Sequence, residues 1–125
     1  MKKSGDAVKS ILIVEDEKPI SDLCWRVLSS QGLEVHVASN GKVAQDMIKK
    51  RQFDILLLDV RMPIMNGIGL YGWLKKKRPQ LANCVIFITG SVIGQETTKF
   101  LTETGRPFLL KPFTTDELIA VLRKF

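Results

Sequence analysis

A chain of 125 residues is long enough for one compact domain with a buried core and short for two. Its hydrophobic fraction of 45% and charged fraction of 26% are ordinary for a globular protein, and no apolar run approaches the roughly eighteen residues of a membrane span. The net charge of +6 invites a nucleic-acid reading, but the densest basic run, Lys75-Lys76-Lys77-Arg78, closes an apolar-periodic stretch before Pro79. A helix favours cations there, against the negative end of its dipole, so a solvated helix end is the plainer explanation and no direct nucleic-acid contact is expected.

Residues 1–9 carry lysines without the apolar stretch and small-residue cleavage site of a secretory signal, and read as a flexible lead to a domain over residues 10–125. Five short apolar runs follow, Ile11–Val14, Val35–Ala38, Ile55–Leu58, Val85–Ile88 and Phe108–Leu110, and each reads as a strand. The first, third and fourth are apolar at every position, as parallel strands covered on both faces are. Between the first two, Ile20, Leu23, Cys24, Val27 and Leu28 make a helical stripe, with Pro19 in the first turn and Gly32 beyond the end. Asn40 is placed to cap a second helix with Val43, Ala44, Met47 and Ile48 facing inward, and Asn66 a third running to about Lys77. Residues 95–104 read as a fourth helix. Thr114 and Glu117 have capping-box spacing for a closing helix whose stripe is Leu118, Val121, Leu122 and Phe125. Cys24 and Cys84 fall in apolar segments and read as reduced core thiols. Five βα units in alternation predict a doubly wound five-stranded parallel sheet, with chemistry at the C-terminal ends of its strands.

Those ends carry Glu15 and Asp16, Asp59, Thr89 and Lys111. Converging carboxylates repel by about 4 kcal/mol per close pair at a surface-like dielectric, so a divalent cation is expected among them. All-oxygen ligation with room for water suits Mg²⁺. The Lys111 ammonium and the Thr89 hydroxyl can each serve an oxygen of a phosphoryl group held on Asp59.

Taken in order, Ile13-Val14-Glu15-Asp16-Glu17, Leu58-Asp59-Val60-Arg61-Met62-Pro63, Asn66-Gly67, Thr89-Gly90 and Lys111-Pro112-Phe113 resemble the motifs of response-regulator receiver domains of two-component phosphorelay signalling. The resemblance covers the chain from Ser10 onward and implies the flavodoxin-like (βα)5 receiver fold. It implies a phosphoacceptor switch in the cytoplasm that catalyses only its own phosphorylation and dephosphorylation. Asp59 would be the acceptor, Asp16 and the backbone carbonyl of Arg61 direct Mg²⁺ ligands, and Glu15 a ligand through water. Thr89 and Lys111 would be the switch hydroxyl and the phosphate-pairing lysine, and Lys111-Pro112 a candidate cis peptide. Phe108 takes the place of the family's switch aromatic, often tyrosine. Arg61 stands two residues beyond the acceptor, where its side chain has two fates open to it, the phosphate or solvent.

The implied partners are a histidine kinase or phosphotransfer protein and a downstream protein reading the face of the fourth helix, fifth strand and closing helix. A homodimer is left open, and no membrane contact is expected. Residues 100–113 also resemble receivers at the C-terminus of hybrid sensor histidine kinases, so both a free-standing regulator and a kinase domain fit. Two enzyme-like rivals fit poorly. A flavin module needs a phosphate loop where Glu15-Asp16-Glu17 stands, and a haloacid-dehalogenase-type phosphatase needs an aspartate where Arg61 stands. A docking module that keeps the fold without the chemistry is the stronger alternative.

Overall fold

Alternate residues of a strand face opposite sides of its sheet, so a strand that is apolar throughout needs cover on both. A computed structural model of the chain describes residues 8–62, 64–90 and 95–125. In chain order the elements are β1 (Ser10–Val14), α1 (Lys18–Ser30), β2 (Glu34–Ala38), α2 (Gly41–Lys50), β3 (Ile55–Asp59), α3 (Gly67–Lys77), the single turn α4 (Pro79–Ala82), β4 (Val85–Thr89), α5 (Gln95–Thr104), β5 (Phe108–Leu110) and α6 (Thr115–Leu122). The strands form one parallel sheet of order β2-β1-β3-β4-β5. β1, β3 and β4 are buried along their whole length. The chain steps from β1 to β2 on one side and to β3 on the other, so the switch point falls at the C-terminal ends of β1 and β3.

Strand alternation divides the core in two. On one face Ile11, Ile13, Leu57, Ile86 and Ile88 pack with Cys24 and Leu28 of α1 and Leu118 and Val121 of α6. On the other, Leu12, Val14, Leu56, Leu58 and Phe87 pack with Ala44 and Ile48 of α2, Leu70 and Leu74 of α3 and Leu101 of α5. Each fully buried Leu or Ile contributes about 1.5–3 kcal/mol, which makes these two clusters the main stabilising force. Among the described residues no helix is long and apolar enough to cross a membrane.

The expected caps are in place. The Asn40 side chain accepts from the Val43 amide and Asn66 from the Gly69 amide, and Thr114 and Glu117 form a complete capping box. Pro19 sits in the first turn of α1, and Gly32 beyond its end takes φ +86°, a conformation that favours glycine.

Three readings shift. Val43 is 39% exposed and Gln45 is buried in its place, because α2 presents Gly41, Ala44, Gln45 and Ile48 to the core. Pro79 opens the turn α4, where the sequence reading saw only a stop. Both cysteines are free, but Cys84 is only partly buried. Cys24 is fully buried, and that burial, with the Glu15 charge behind it, pushes its thiol up to about 12. Of the lead over residues 1–9, all but Val8 and Lys9 lies outside the described residues.

Candidate functional site

Asp59 ends β3, its side chain only 4% exposed. Its Oδ1 accepts from the Arg61 backbone amide at 3.0 Å and its Oδ2 from Lys111 Nζ at 3.0 Å. Lys111 follows β5, and its backbone amide donates to the Thr89 carbonyl at 2.8 Å, which aims the side chain back over the strand ends. Its Nζ also donates to Glu17 Oε1 at 2.7 Å and lies 3.0 Å from Glu15 Oε1. Glu15 follows β1, tied to β2 through its amide on the Ala38 carbonyl at 3.0 Å, and its Oε2 accepts from the Glu17 amide at 3.1 Å. Carboxylate oxygens of Glu15, Glu17 and Asp59 thus lie within 4.8 Å of one another around one ammonium.

That crowding sets the protonation of the site. Burial, then the hydrogen bond and charge of Asp59, raise the Glu15 carboxyl to about 8. Burial alone would lower the Lys111 pKa, but the neighbouring carboxyl groups of Glu17, Glu15 and Asp59 outweigh that and raise it, so the ammonium stays charged. One positive charge cannot balance three carboxylates, and the deficit shows at Glu15 Oε1. That oxygen is buried and accepts no hydrogen bond, although Lys111 is within ion-pair distance. An orphaned oxygen in an all-oxygen cluster fits a hard divalent cation such as Mg²⁺, with Glu15 and Asp59 as the carboxylates able to hold it.

Of the residues singled out in the sequence, Glu15, Asp59 and Lys111 are brought together, and Thr89, 1% exposed, closes β4 beside them. Asp16 is not brought into the cluster. It is exposed and lines a shallow groove with Trp25 and Val37 that also borders Glu15. The chain bends at Asp16, and the bend leaves Asp16 on the rim while Glu15 and Glu17 both reach Lys111. Glu17 takes the third place, and its position two residues after Glu15 is the signal that could have pointed to it. The Arg61 guanidinium turns neither to Asp59 nor freely to solvent: it donates to Thr97 Oγ1 at 3.3 Å on α5. Phe108 stands 43% exposed on the edge strand β5. Lys111-Pro112 is cis, as the resemblance implies. Pro63 of the acceptor motif lies outside the described residues.

The segment after the acceptor is tightly built. The Gly67 amide donates to the Val60 carbonyl at 3.0 Å, seating α3 directly against the acceptor strand. Ile64 between them takes φ +72° with its side chain 82% exposed, an unfavourable backbone for a β-branched residue that gains no burial in return. Ile64→Gly should therefore raise stability by about 1 kcal/mol in urea unfolding, and an unchanged or lower midpoint would count against that strain.

A family model for the response regulator receiver domain matches residues 11–123. Among curated proteins, the chain is 33% identical over 117 residues to the transcriptional regulatory protein CrdR of Helicobacter pylori, covering 94% of this chain and 54% of that protein. It is 30% identical over 112 residues to the probable transcriptional regulator ycf29 of Pyropia yezoensis, covering 90% and 50%. The chain thus spans about half the length of these two relatives. Among solved structures, a CheY-like receiver domain protein of Methanospirillum hungatei superposes with a TM-score of 0.85 at 28% identity, covering 94% of this chain and 93% of that one. The Thermotoga maritima response regulator TrrA, solved in complex with Mg²⁺ and BeF, superposes with a TM-score of 0.79 at 27% identity, covering 94% and 98%.

Proposed function

The chain belongs to the response regulator receiver domain family and has that family's phosphoacceptor switch role in two-component signalling, and from that premise we propose that Asp59 is the acceptor. The observation that carries this is the Asp59 carboxylate at the switch point of the sheet, with one oxygen on the Arg61 amide and the other 3.0 Å from Lys111 Nζ.

In the transfer, one carboxylate oxygen of Asp59 forms a bond to phosphorus through a remaining lone pair as the bond from phosphorus to the donor's leaving group breaks. With a histidine kinase or phosphotransfer protein as donor, the leaving group is an imidazole nitrogen. Mg²⁺, held by Glu15, Asp59 and the Arg61 carbonyl with Asp16 in reach from the rim, would supply charge neutralisation of the phosphoryl oxygens. Lys111 neutralises a further oxygen, and to do so exchanges one of its present carboxylate partners for the phosphoryl group. The Thr89 hydroxyl, buried at the end of β4, serves another. The Arg61 amide on Asp59 Oδ1 fixes the carboxylate plane, which is the positioning that phosphoryl transfer asks of a protein. Attack of water on phosphorus later returns the carboxylate and inorganic phosphate, so the molecule resets without acting on another substrate.

Signal leaves through the face of α5, β5 and α6. Movement of Thr89 toward the phosphoryl group frees space beside β5, where Phe108 and Leu110 are 43% and 45% exposed and are available to a downstream protein or a second receiver. The Arg61 bond to Thr97 ties the acceptor segment to that same face. The working unit is residues 10–125 in the cytoplasm, as a free regulator or as part of a longer kinase.

Incubation with acetyl phosphate and Mg²⁺ should add one phosphoryl group to the intact protein by mass spectrometry, and Asp59→Asn should abolish the gain. A gain that persists in Asp59→Asn would move the acceptor elsewhere. No gain in folded protein would favour a docking module that keeps the fold without the chemistry.

A further inference from the structure

The acceptor uses the acidic end of the molecule and leaves the opposite end, where the basic charge collects, without a role. α2 closes on Lys49, Lys50 and Arg51, and α3 on Lys75, Lys76, Lys77 and Arg78. The two helices pack side by side, and Lys49 reaches across to lie 6.0 Å from the Trp73 ring of α3. Seven of the chain's 19 lysines and arginines therefore stand at the C-terminal ends of these two neighbouring helices, and Arg51, Lys77 and Arg78 among them line one cleft. Helix dipoles explain a cation or two at each end, at about 0.3–1 kcal/mol apiece, but not runs of three and four side by side.

Few of these charges are neutralised. Arg51 pairs with Glu34, while the other six have no ion pair among the described residues. Asp54, the one acid lining the cleft, is exposed, and its charge is partly met by the Ser10 amide, which donates to its Oδ2 at 2.7 Å.

Arg51, Lys77 and Arg78 rim a cleft of about 490 Å³ whose floor includes Ile48, Phe53, Leu81 and Cys84. The floor leads into the starts of β3 and β4, whereas Asp59 ends β3. At about 3.3 Å per residue the cleft and the acceptor are about 15 Å apart, so both can be engaged at once.

We propose that this cleft binds an acidic, extended peptide segment of a partner protein, with an aliphatic side chain on the apolar floor and carboxylates on the basic rim. The apolar groups are recessed, so neither a rod-like duplex nor a flat lipid surface reaches them. A nucleotide base would need an open aromatic face, but Phe53 is 8% exposed and its ring is covered by the Arg51 guanidinium at 5.0 Å and by His36. A flexible acidic segment with one apolar anchor satisfies floor and rim together.

The test is fluorescence anisotropy of the full chain with a labelled glutamate-rich peptide carrying one central leucine, beside an oligoglutamate of equal charge, a short DNA duplex and phosphatidylserine vesicles. The leucine peptide should bind about tenfold tighter than oligoglutamate and weaken severalfold between about 50 and about 200 mM salt. Lys77→Glu with Arg78→Glu should weaken it about tenfold or more, while Arg26→Glu on α1 changes it less than about twofold. Phosphorylation of Asp59 by acetyl phosphate should be unchanged in the double variant, which shows that it is folded. Equal binding of oligoglutamate, tighter binding of DNA or vesicles, an equal loss in Arg26→Glu, or no salt-sensitive binding at all would each overturn the proposal.

Discussion

Lys111→Ala should cost the protein without divalent cation about 3 kcal/mol in urea unfolding, and millimolar Mg²⁺ should restore a large part of it. The argument lies in what the substitution leaves behind. Among the described residues, Lys111 Nζ is the one cation within hydrogen-bond reach of Glu15 and Asp59, whose side chains are 0% and 4% exposed. Breaking a buried ion pair by removing one partner costs about 3–5 kcal/mol, because the remaining charge has neither water nor a counterion. Glu17 contributes little to this, since its side chain is 57% exposed and solvent screens it. With its pKa raised to about 8, Glu15 already carries a proton at neutral pH, so the charge left bare is chiefly that of Asp59, and this places the effect at the low end of the range. A loss below about 1 kcal/mol, or one that Mg²⁺ does not relieve, would show that the carboxylates do not bear on one another as the geometry requires.

Gly67→Ala should be as damaging from the other side of the acceptor. A Cβ at Gly67 would sit 2.3 Å from the Asp59 carbonyl oxygen and 2.9 Å from Val60 Cα. Both are backbone atoms of the acceptor strand and its exit, held by the Gly67 amide on the Val60 carbonyl and the Val60 amide on the Ile88 carbonyl. Neither neighbour can swing aside as a flexible side chain would, so either α3 lifts or the acceptor strand bends. The expected loss is about 2–3 kcal/mol in urea unfolding, with slower phosphorylation of whatever remains folded. Gly72→Ala in the same helix is the control, because nothing lies within 4 Å of its Cβ and helix propensity favours alanine. Equal behaviour of the two variants would mean that the close approach of α3 to Asp59 is not required.

The sheet was legible because its signal is local. Runs such as Ile11–Val14 and Ile55–Leu58 admit little besides a strand covered on both faces, and Asn40, Asn66 and Thr114 mark helix starts through hydrogen bonds to amides three residues away. The acidic cluster was legible to within one residue. Three consecutive carboxyl-bearing side chains follow β1, and which two turn inward depends on the bend at Asp16, which sequence order does not encode. The sequence reading singled out Asp16 beside Glu15, and it is a Glu17 oxygen that lies within 4.8 Å of those of Glu15 and Asp59. The destination of the Arg61 side chain was out of reach for a different reason: Thr97 is 36 residues away, and only the packing of α5 brings it near. Val43 misled because the helical stripe is wide enough for two rotations, and the choice went to the one that puts Gly41 under the Met65 carbonyl, where its amide donates at 3.0 Å.

The identity of the acceptor is the claim on which the rest depends, and an acyl phosphate can be located chemically. After phosphorylation with acetyl phosphate and Mg²⁺, borohydride reduction converts the modified aspartate to homoserine, and peptide mass spectrometry reads its position. The account predicts homoserine at position 59 alone, absent when Mg²⁺ is withheld. A reduced residue at Glu15, Asp16 or Glu17 would contradict it.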